Sequence, residues 1–589
     1  EGFSQDQIDA AFYQLELSRR EISSGSLPYG LQVLLSLAPG ALYKADPLAL
    51  SNVDEALKNL KEKIKDKSFL SKLITKHFVD NSHRVNLEMV PDMELINNRE
   101  SNFTKTLEKI KSSMSSKEKH QLVNDSKALA ERQEALPDKN LLPKLELSDV
   151  PNDTTYPKTK KLSTFGYSPI FYEQATNGLT YNSISRSLTI SSADEVGDLM
   201  LLSNLFGKVG IQNHDYLKLQ EKISKISGGI SASTHFYYDN NCEIKGRLSL
   251  SSKFLPENST EISAVMFDIL NTSLFEDEKR VKELMFQNFM GLQQSIVENG
   301  HRFAMLAASS THNQLAQIHE ISGGLSSLFK FAPFISNNDE AMKKQIERII
   351  NLSKGLKNNS NELAFVSNVK LTKEQLSKLK DLNFKKDGDS SVTFDFQKEF
   401  SKIAMPINTQ VNFSAMSLDA PLYDPKDSAK FLVLSSILRN EFLHRRIREQ
   451  GGAYGGGAIY DPFAGSFKLF SYRDPRFIET FEDFEESFKW ASKGEFDNEI
   501  MLEGKLSVLS DHDKPSSPAG EAFKDYRFNI EGKNQKTRTL YRKQIIDVSK
   551  EEVIEAANIL KDQPKSLFSI INPNLEKRAS EEGFLIKRI

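Results

Sequence analysis

Ile223-Ser-Lys-Ile-Ser-Gly-Gly-Ile-Ser-Ala232 and Ile447-Arg-Glu-Gln-Gly-Gly-Ala-Tyr-Gly455 are the two stretches whose likeness decides how this chain is built. Their second glycines, Gly229 and Gly452, stand 223 residues apart. After each, Asp239-Asn240 or Asp461-Pro462 precedes an alternating run, over 243–251 and 466–473. Both stretches read as helix, double glycine, strand, turn, strand. The likeness continues downstream. Phe275-Glu-Asp-Glu-Lys279 opens a helical pattern through Leu284, Phe289, Leu292 and Ile296, and Phe496-Asp-Asn-Glu-Ile500 opens another through Met501, Leu506 and Leu509. Each unit closes on a helix and a strand. Met342, Ile346 and Ile349 lead into Leu363-Ala-Phe-Val366, and residues 553–560 lead into Ser566-Leu-Phe-Ser-Ile-Ile571. Helix–strand alternation is generic, but the shared glycines and Phe-acid landmarks point to a duplicated α+β unit.

The opening residues read as the tail of a third copy. Phe3-Ser-Gln-Asp-Gln-Ile8 is like 496–500, and a helix over Phe69 to Phe78 is expected to enter a strand, Arg84-Val-Asn-Leu-Glu-Met-Val90. With no front half to that copy, the chain is expected to be a fragment of a larger product. Residues 94–145 are polar, with weak helical periodicity through Leu107, Ile110, Met114, Leu122 and Leu129, and Pro137 and Pro143 end them. That pattern fits a helix pair connecting two bodies, or a disordered linker.

Composition narrows the class. At about 150 residues per domain, 589 residues suggest three or four domains. Formal charge is −3, which gives no field for nucleic acid or an anionic membrane. No run approaches the roughly 20 apolar residues of a membrane span, and with Glu1-Gly2-Phe3 at its start no signal peptide is expected within these residues. A single cysteine, Cys242, excludes an internal disulfide and a cysteine-rich zinc site.

Chemistry concentrates in the run Arg445 to Ala458. Phe431, Leu434, Leu438 and Phe442 place an apolar stripe on the preceding helix, and Gly451 is the expected positive-φ residue after it. Arg448 then occupies the last turn, where a cation complements the helix dipole and needs no further role. Residues 453–460 read as a strand, and adjacent glycines weaken a strand unless another backbone or a ligand must approach. Tyr454 offers a phenolic donor there. A nucleotide loop fails, because no Lys-Ser/Thr follows and the glycines lead from helix to strand. None of the ten histidines forms His-Glu-x-x-His or its inverse. His312 and His319 lie two turns apart, about 10 Å along a helix, too far for one zinc, and are expected to be surface or packing residues. The sequence holds no self-sufficient active site.

With those residues in hand, the chain resembles the C-terminal half of the presequence-protease and falcilysin branch of the pitrilysin/insulinase clan. The resemblance runs through nearly the whole chain and is most specific from Leu443 to Ala458, in Phe470-Ser-Tyr-Arg-Asp-Pro475, and in Trp490-Ala-Ser-Lys-Gly-Glu-Phe496. Gln174-Ala-Thr-Asn-Gly178, Gly228 to Ala232 and Arg84 to Asp92 add to it. It implies repeated LuxS/MPP-like α/β domains with antiparallel-rich sheets flanked by helices. Residues 1–93 would end the second domain, 94–147 form a helical hairpin, 148–385 form a degenerate third domain without metal, and 386–589 form the fourth. The helix near Met200 to Phe206 would stand where the first domain carries its metal, and it holds only apolar and neutral residues.

The resemblance also implies a function. The chain would be half of a zinc oligopeptidase that degrades short unstructured peptides in a closed chamber. Zinc on His-x-x-Glu-His would belong to the N-terminal half, with none bound by this fragment, which alone would be inactive. Arg448 and Tyr454 would be the clan's Arg/Tyr pair, with Tyr454 donating to the oxyanion and Arg448 holding substrate oxygens. Gly451, Gly452, Ala453, Gly455 and Gly456 would let a substrate strand lie flat. Its partners would be the N-terminal half and peptides, with no nucleic acid or membrane. The compartment would be mitochondrial matrix or plastid in a eukaryote and cytoplasm in a bacterium. A non-catalytic scaffold or peptide-binding subunit is the alternative.

Overall fold

The computed structural model describes residues 3–23, 27–134, 144–151, 154–162, 169–336, 338–380, 382 and 390–588. They divide into a larger body, Phe3–Lys61 with Pro151–Ile589, and a smaller one, Glu62–Val150. Pro137 and Pro143 lie outside the described residues.

In the larger body the two glycine stretches each build a sheet. The first sheet contains β1 (Ile170–Glu173), β2 (Thr180–Ser187), β3 (Ile230–Tyr238), β4 (Ile244–Phe254) and β5 (Asn361–Ser367), in the order β1-β5-β2-β4-β3. The second contains β6 (Lys402–Pro406), β7 (Phe413–Asp419), β8 (Gly455–Asp461), β9 (Ser466–Tyr472) and β10 (Ser566–Ile571), in the order β6-β10-β7-β9-β8. The pairings match strand for strand. Only β1 with β5 and β6 with β10 run parallel, and the rest of each five are antiparallel. The copies differ at one edge, where Thr159–Lys161 pairs antiparallel with β1 and Leu585–Ile586 parallel with β6.

Alternation along the strands decides which helices each face receives. In β5, Leu363 and Phe365 join a core with Ala193–Leu205, Ser259–Thr272 and Asp339–Leu356, all helices of the same repeat. Ala364 and Val366 face the other way, against Ala519, Ala522 and Tyr526 of a helix from the second repeat, Pro518–Ile530. The second sheet receives the reciprocal element. Phe303, Ala304, Ala307 and Ala308 of the first repeat's long helix, Glu278–Ser310, pack on Phe413, Ala415, Phe568 and Ile570. Each sheet is thus covered on one face by a helix that belongs to the other repeat.

The smaller body is helical. A short helix, Phe69–Ile74, continues as π-helix through Thr75–Val79, and two helices follow, Leu95–Ser113 and Ser116–Glu134. The expected strand over Arg84 to Val90 is not formed. Residues 81–92 carry no strand, and Val85, Leu87 and Met89 are 89%, 83% and 85% exposed. An alternating segment becomes a strand by pairing with an edge and burying one face, and among the described residues nothing supplies either.

Candidate functional site

The helix before the second double glycine begins as α-helix, Ala429–Ile437, and finishes as π-helix, Leu438–Gln450. The wider winding moves the buried stripe. Phe431, Leu434 and Leu438 are buried as the α-period requires, but the next buried positions are Leu443 and Ile447. Phe442 turns aside and packs on Trp490, 5.6 Å between ring centroids. π-Turns of this kind gather at functional sites.

The helix end differs from expectation by one residue. Gly451 has ordinary helical dihedrals, φ −84°, and Gly452 takes the left-handed conformation at φ +78°. The first repeat does the same at its second glycine, Gly229, φ +103°. The N–H groups of Gly452 and Ala453 donate to the carbonyls of Arg448 and Ile447 at 3.1 Å each, closing the helix. The strand then begins at Gly455 rather than 453.

Internal packing accounts for part of the glycine run. A Cβ on Gly451 would stand 2.2 Å from the Arg476 guanidinium, which is tied to Asp483 at 2.9 Å. A Cβ on Gly456 would stand 2.7 Å from Ile447 and 3.0 Å from the Phe470 carbonyl. Ala453 is buried. Gly452 is held by its positive φ, with Pro475 3.7 Å from its Cβ position, so of the five positions expected to carry a substrate strand Gly455 is the one facing open space. Gly455 has nothing within 4 Å of its Cβ position.

Tyr454 stands between Gly452 and Gly455 and is 67% exposed. Its N–H donates to the Arg473 carbonyl at 3.3 Å, and its ring meets Tyr472 edge-on, 5.5 Å between centroids. Arg473 is itself left-handed, φ +51°, a conformation that costs a non-glycine residue about 1–2 kcal/mol. Next to it, Asp474 is fully buried, pairs through its backbone with Asn412, and accepts from Thr480 at 2.7 Å and the Arg476 N–H at 2.9 Å. Burial holds the Asp474 carboxyl above its ordinary value. The far side of the hairpin is thus a rigid frame for Tyr454.

Arg448 is exposed at the helix end, donating to His444 Nε2 at 3.3 Å. Among the described residues no carboxylate lies within ion-pair distance of it. Its neighbour Arg446 is occupied by Asp483 at 3.1 Å. Counting back 223 residues places Lys225 where Arg448 stands and Ser231 where Tyr454 stands. Lys225 is consumed by Asp6 at 3.0 Å and Glu221 at 2.9 Å. Of the two repeats, the second is the one that presents an uncommitted guanidinium and a phenol at this corner.

The two histidines His312 and His319 are structural. His312 is buried, its Nε2 against Ser417 and its Nδ1 against Asp419, 3.0 Å each. Burial pushes His319 down to about 4 and keeps it neutral. Both are packing residues. The helix Ala193–Leu205 buries Leu199 to Leu202. Among the described residues no group of three His, Cys, Asp or Glu could hold a metal ion, and no helix is long and apolar enough to cross a membrane.

Sequence comparison gives this geometry a family. The profile for the region associated with subfamily C of the M16 peptidases matches residues 89–333, and the one described as PreP C-terminal domain matches residues 402–572. In both matches the chain is similar to the presequence proteases of the peptidase M16 family. It is 25% identical over 628 residues to the mitochondrial presequence protease of Mus musculus, covering 100% of this chain and 60% of that protein. To presequence protease 1, chloroplastic/mitochondrial, of Arabidopsis thaliana it is 26% identical over 588 residues, covering 96% and 53%. The chain therefore spans little more than half the length of such relatives. Among solved structures, a peptidase M16 inactive domain from Pseudomonas fluorescens superposes with a TM-score of 0.52 at 14% identity, covering 70% of this chain and 97% of that one. That likeness concerns the fold.

Proposed function

We propose that this chain is the C-terminal part of a zinc oligopeptidase of the presequence-protease type, acting on short unstructured peptides held in a closed chamber. In this reading residues 1–93 end a second peptidase-type domain, 94–147 form the connecting hairpin, and 148–385 and 386–589 are the third and fourth domains. The observation that carries it is the corner formed by Arg448, Gly452, Tyr454 and Gly455: one uncommitted cation, one exposed phenol and bare backbone between them. In the same reading an upstream part of the protein would hold the metal, which would activate water for attack on a peptide carbonyl.

What this chain supplies follows from its own atoms. A carbonyl under attack gathers negative charge on oxygen. The Tyr454 hydroxyl is a neutral donor that needs to lose nothing to stabilise it, and it is exposed enough to reach it. Arg448, with donors not committed to a carboxylate, suits backbone carbonyls or a carboxylate of the bound peptide. Gly452 and Gly455 leave the flanking surface without side chains, so an extended peptide backbone can come close.

The test mixes this chain with the separately purified upstream part, adds zinc, and follows cleavage of an unstructured peptide by mass spectrometry. The mixture should cut where neither part does alone. Tyr454→Phe should lower the rate by roughly 100- to 1,000-fold, the usual loss for an oxyanion donor. Association without cleavage would sink this reading in favour of a scaffold, and full activity in Tyr454→Phe would overturn the role given to Tyr454.

A further inference from the structure

Tyr454 is steadied from the other repeat. Its ring lies against Tyr472 with planes at 88°, the edge-to-face arrangement that aromatic quadrupoles favour. Tyr472 sits opposite Gly455 in the β8–β9 hairpin, one residue beyond Tyr454. Several contacts then hold Tyr472, among them the Phe413 ring 5.9 Å away. Its hydroxyl donates to the Glu298 carbonyl at 3.1 Å, the His301 ring stands 4.6 Å away at 60°, and the Arg473 guanidinium lies 5.3 Å over its face.

Glu298 and His301 belong to the long helix of the first repeat, and they flank its kink. Asn299, φ −124° and ψ 28°, departs from helical dihedrals. Carbonyls at a kink tilt away from the helical ladder and accept outside donors. Here the donor is the Tyr472 hydroxyl. Gly300 fixes how deep the kinked helix rests, since a Cβ there would stand 2.5 Å from the Phe413 ring of the second sheet. The His301 ring also packs on Phe470, 5.4 Å away, and burial lowers its pKa. A continuous path therefore runs from the kink through Tyr472 to the exposed phenol.

We infer that Tyr472 is a positioning residue for Tyr454, and that the kinked helix of the first repeat sets where the Tyr454 hydroxyl stands. This rests on the reading of Tyr454 as an oxyanion donor. It gives the metal-free repeat a task in catalysis: it supplies no reacting group, but it holds the second repeat's donor in place. Misplacing a reacting group by about 1 Å costs on the order of a hundredfold, so the hold on the ring matters as much as its presence.

The experiment is a double-mutant cycle in the full-length protein, with peptide hydrolysis as the readout. Tyr472→Leu should lower kcat by about ten- to a hundredfold with KM unchanged, and Tyr472→Phe, which keeps the ring, should lose less. In a Tyr454→Phe background Tyr472→Leu should cost nothing further, because the group it positions is gone. Additive losses, or a loss in KM alone, would overturn the inference while leaving Tyr454's role intact. No loss in Tyr454→Phe would instead overturn the underlying reading. If Tyr472→Leu does not fold, fluorotyrosine placed at 454 in this chain decides the matter by ¹⁹F resonance. Its line should shift and narrow in Tyr472→Phe as the ring gains freedom, and an unmoved line overturns the inference.

Discussion

Gly455 and Gly456 are adjacent and are glycine for opposite reasons. Gly455 faces open space, while a side chain at Gly456 would press into Ile447 and the Phe470 carbonyl, neither of which is a flexible end. Gly456→Ala should therefore destabilise the chain by about 1–3 kcal/mol, the usual cost of overpacking. Gly455→Ala should stay within about 0.5 kcal/mol of the parent yet weaken peptide binding. Urea denaturation separates them, and equal losses would show that both glycines serve packing. The sequence displayed this run as unusual but could not divide it, because whether a missing side chain serves a neighbour or a ligand depends on residues brought in from elsewhere. Arg476, which covers Gly451, and Ile447, which covers Gly456, reach them only through the fold. The same applies to the one-residue error at the helix end. Positive φ falls on the second glycine in both repeats, Gly229 and Gly452, and a Gly-Gly pair does not say which member turns; nor does a hydrophobic stripe read at the α-period reveal the i+5 step of the π-winding before Gly451.

At the scale of elements, the double glycines, the hairpins and the closing helix–strand pairs were readable, since local pattern and tertiary demand agree there. Arg84 to Val90 has the pattern without the demand, and stays unpaired among the described residues. One element carries a titration that pattern reading does not reach. In the helix Gln314–Gly323, Glu320 is buried and accepts from the Ser326 N–H at 2.9 Å and its hydroxyl at 3.1 Å, while Oε2 has no hydrogen-bond partner among the described residues. A Cβ on Gly324 would stand 1.9 Å from that oxygen, so the turn after the helix is shaped around the carboxyl. Burial pushes Glu320 up from 4.5 to about 7. The folded chain then holds this proton where the unfolded chain has lost it. Its contribution to stability is full below about pH 4.5 and declines as pH rises towards 7. Glu320→Gln mimics the protonated form. It should match the parent in acid and exceed it above pH 7 by an amount on the order of 3 kcal/mol. Chemical denaturation at pH 5 and pH 8 checks this, and parallel pH dependence in both proteins would place the ionisation elsewhere.

For the whole molecule, the exchange of helices between repeats has a consequence that neither repeat shows alone. Asp525 and Arg538 form a buried ion pair in the second repeat, 1% and 6% exposed, and Asp525 also accepts the hydroxyl of Tyr172 from β1 at 3.1 Å. Beside it, Tyr526 donates to Glu362 of β5 at 2.6 Å, and Arg247 of β4 pairs with the same carboxylate at 2.9 Å. Removing one member of a buried pair leaves an uncompensated charge and costs about 3–5 kcal/mol. Asp525→Ala should incur that loss and also strand the Tyr172 hydroxyl. Because the first sheet rests on this helix and the second sheet on the first repeat's long helix, the damage should not stay local. The chain offers two natural reporters: Trp490, its single tryptophan, lies in the second repeat, and Cys242, its single and exposed cysteine, lies in the β3–β4 turn of the first. Tryptophan fluorescence and a dye on Cys242 should give coincident urea transitions in the parent, the mark of one cooperative unit. Both midpoints should fall together in Asp525→Ala. A tryptophan transition that moves while the cysteine transition stays would mean that the repeats fold independently, and that the path from the kinked helix to Tyr454 joins two separable parts.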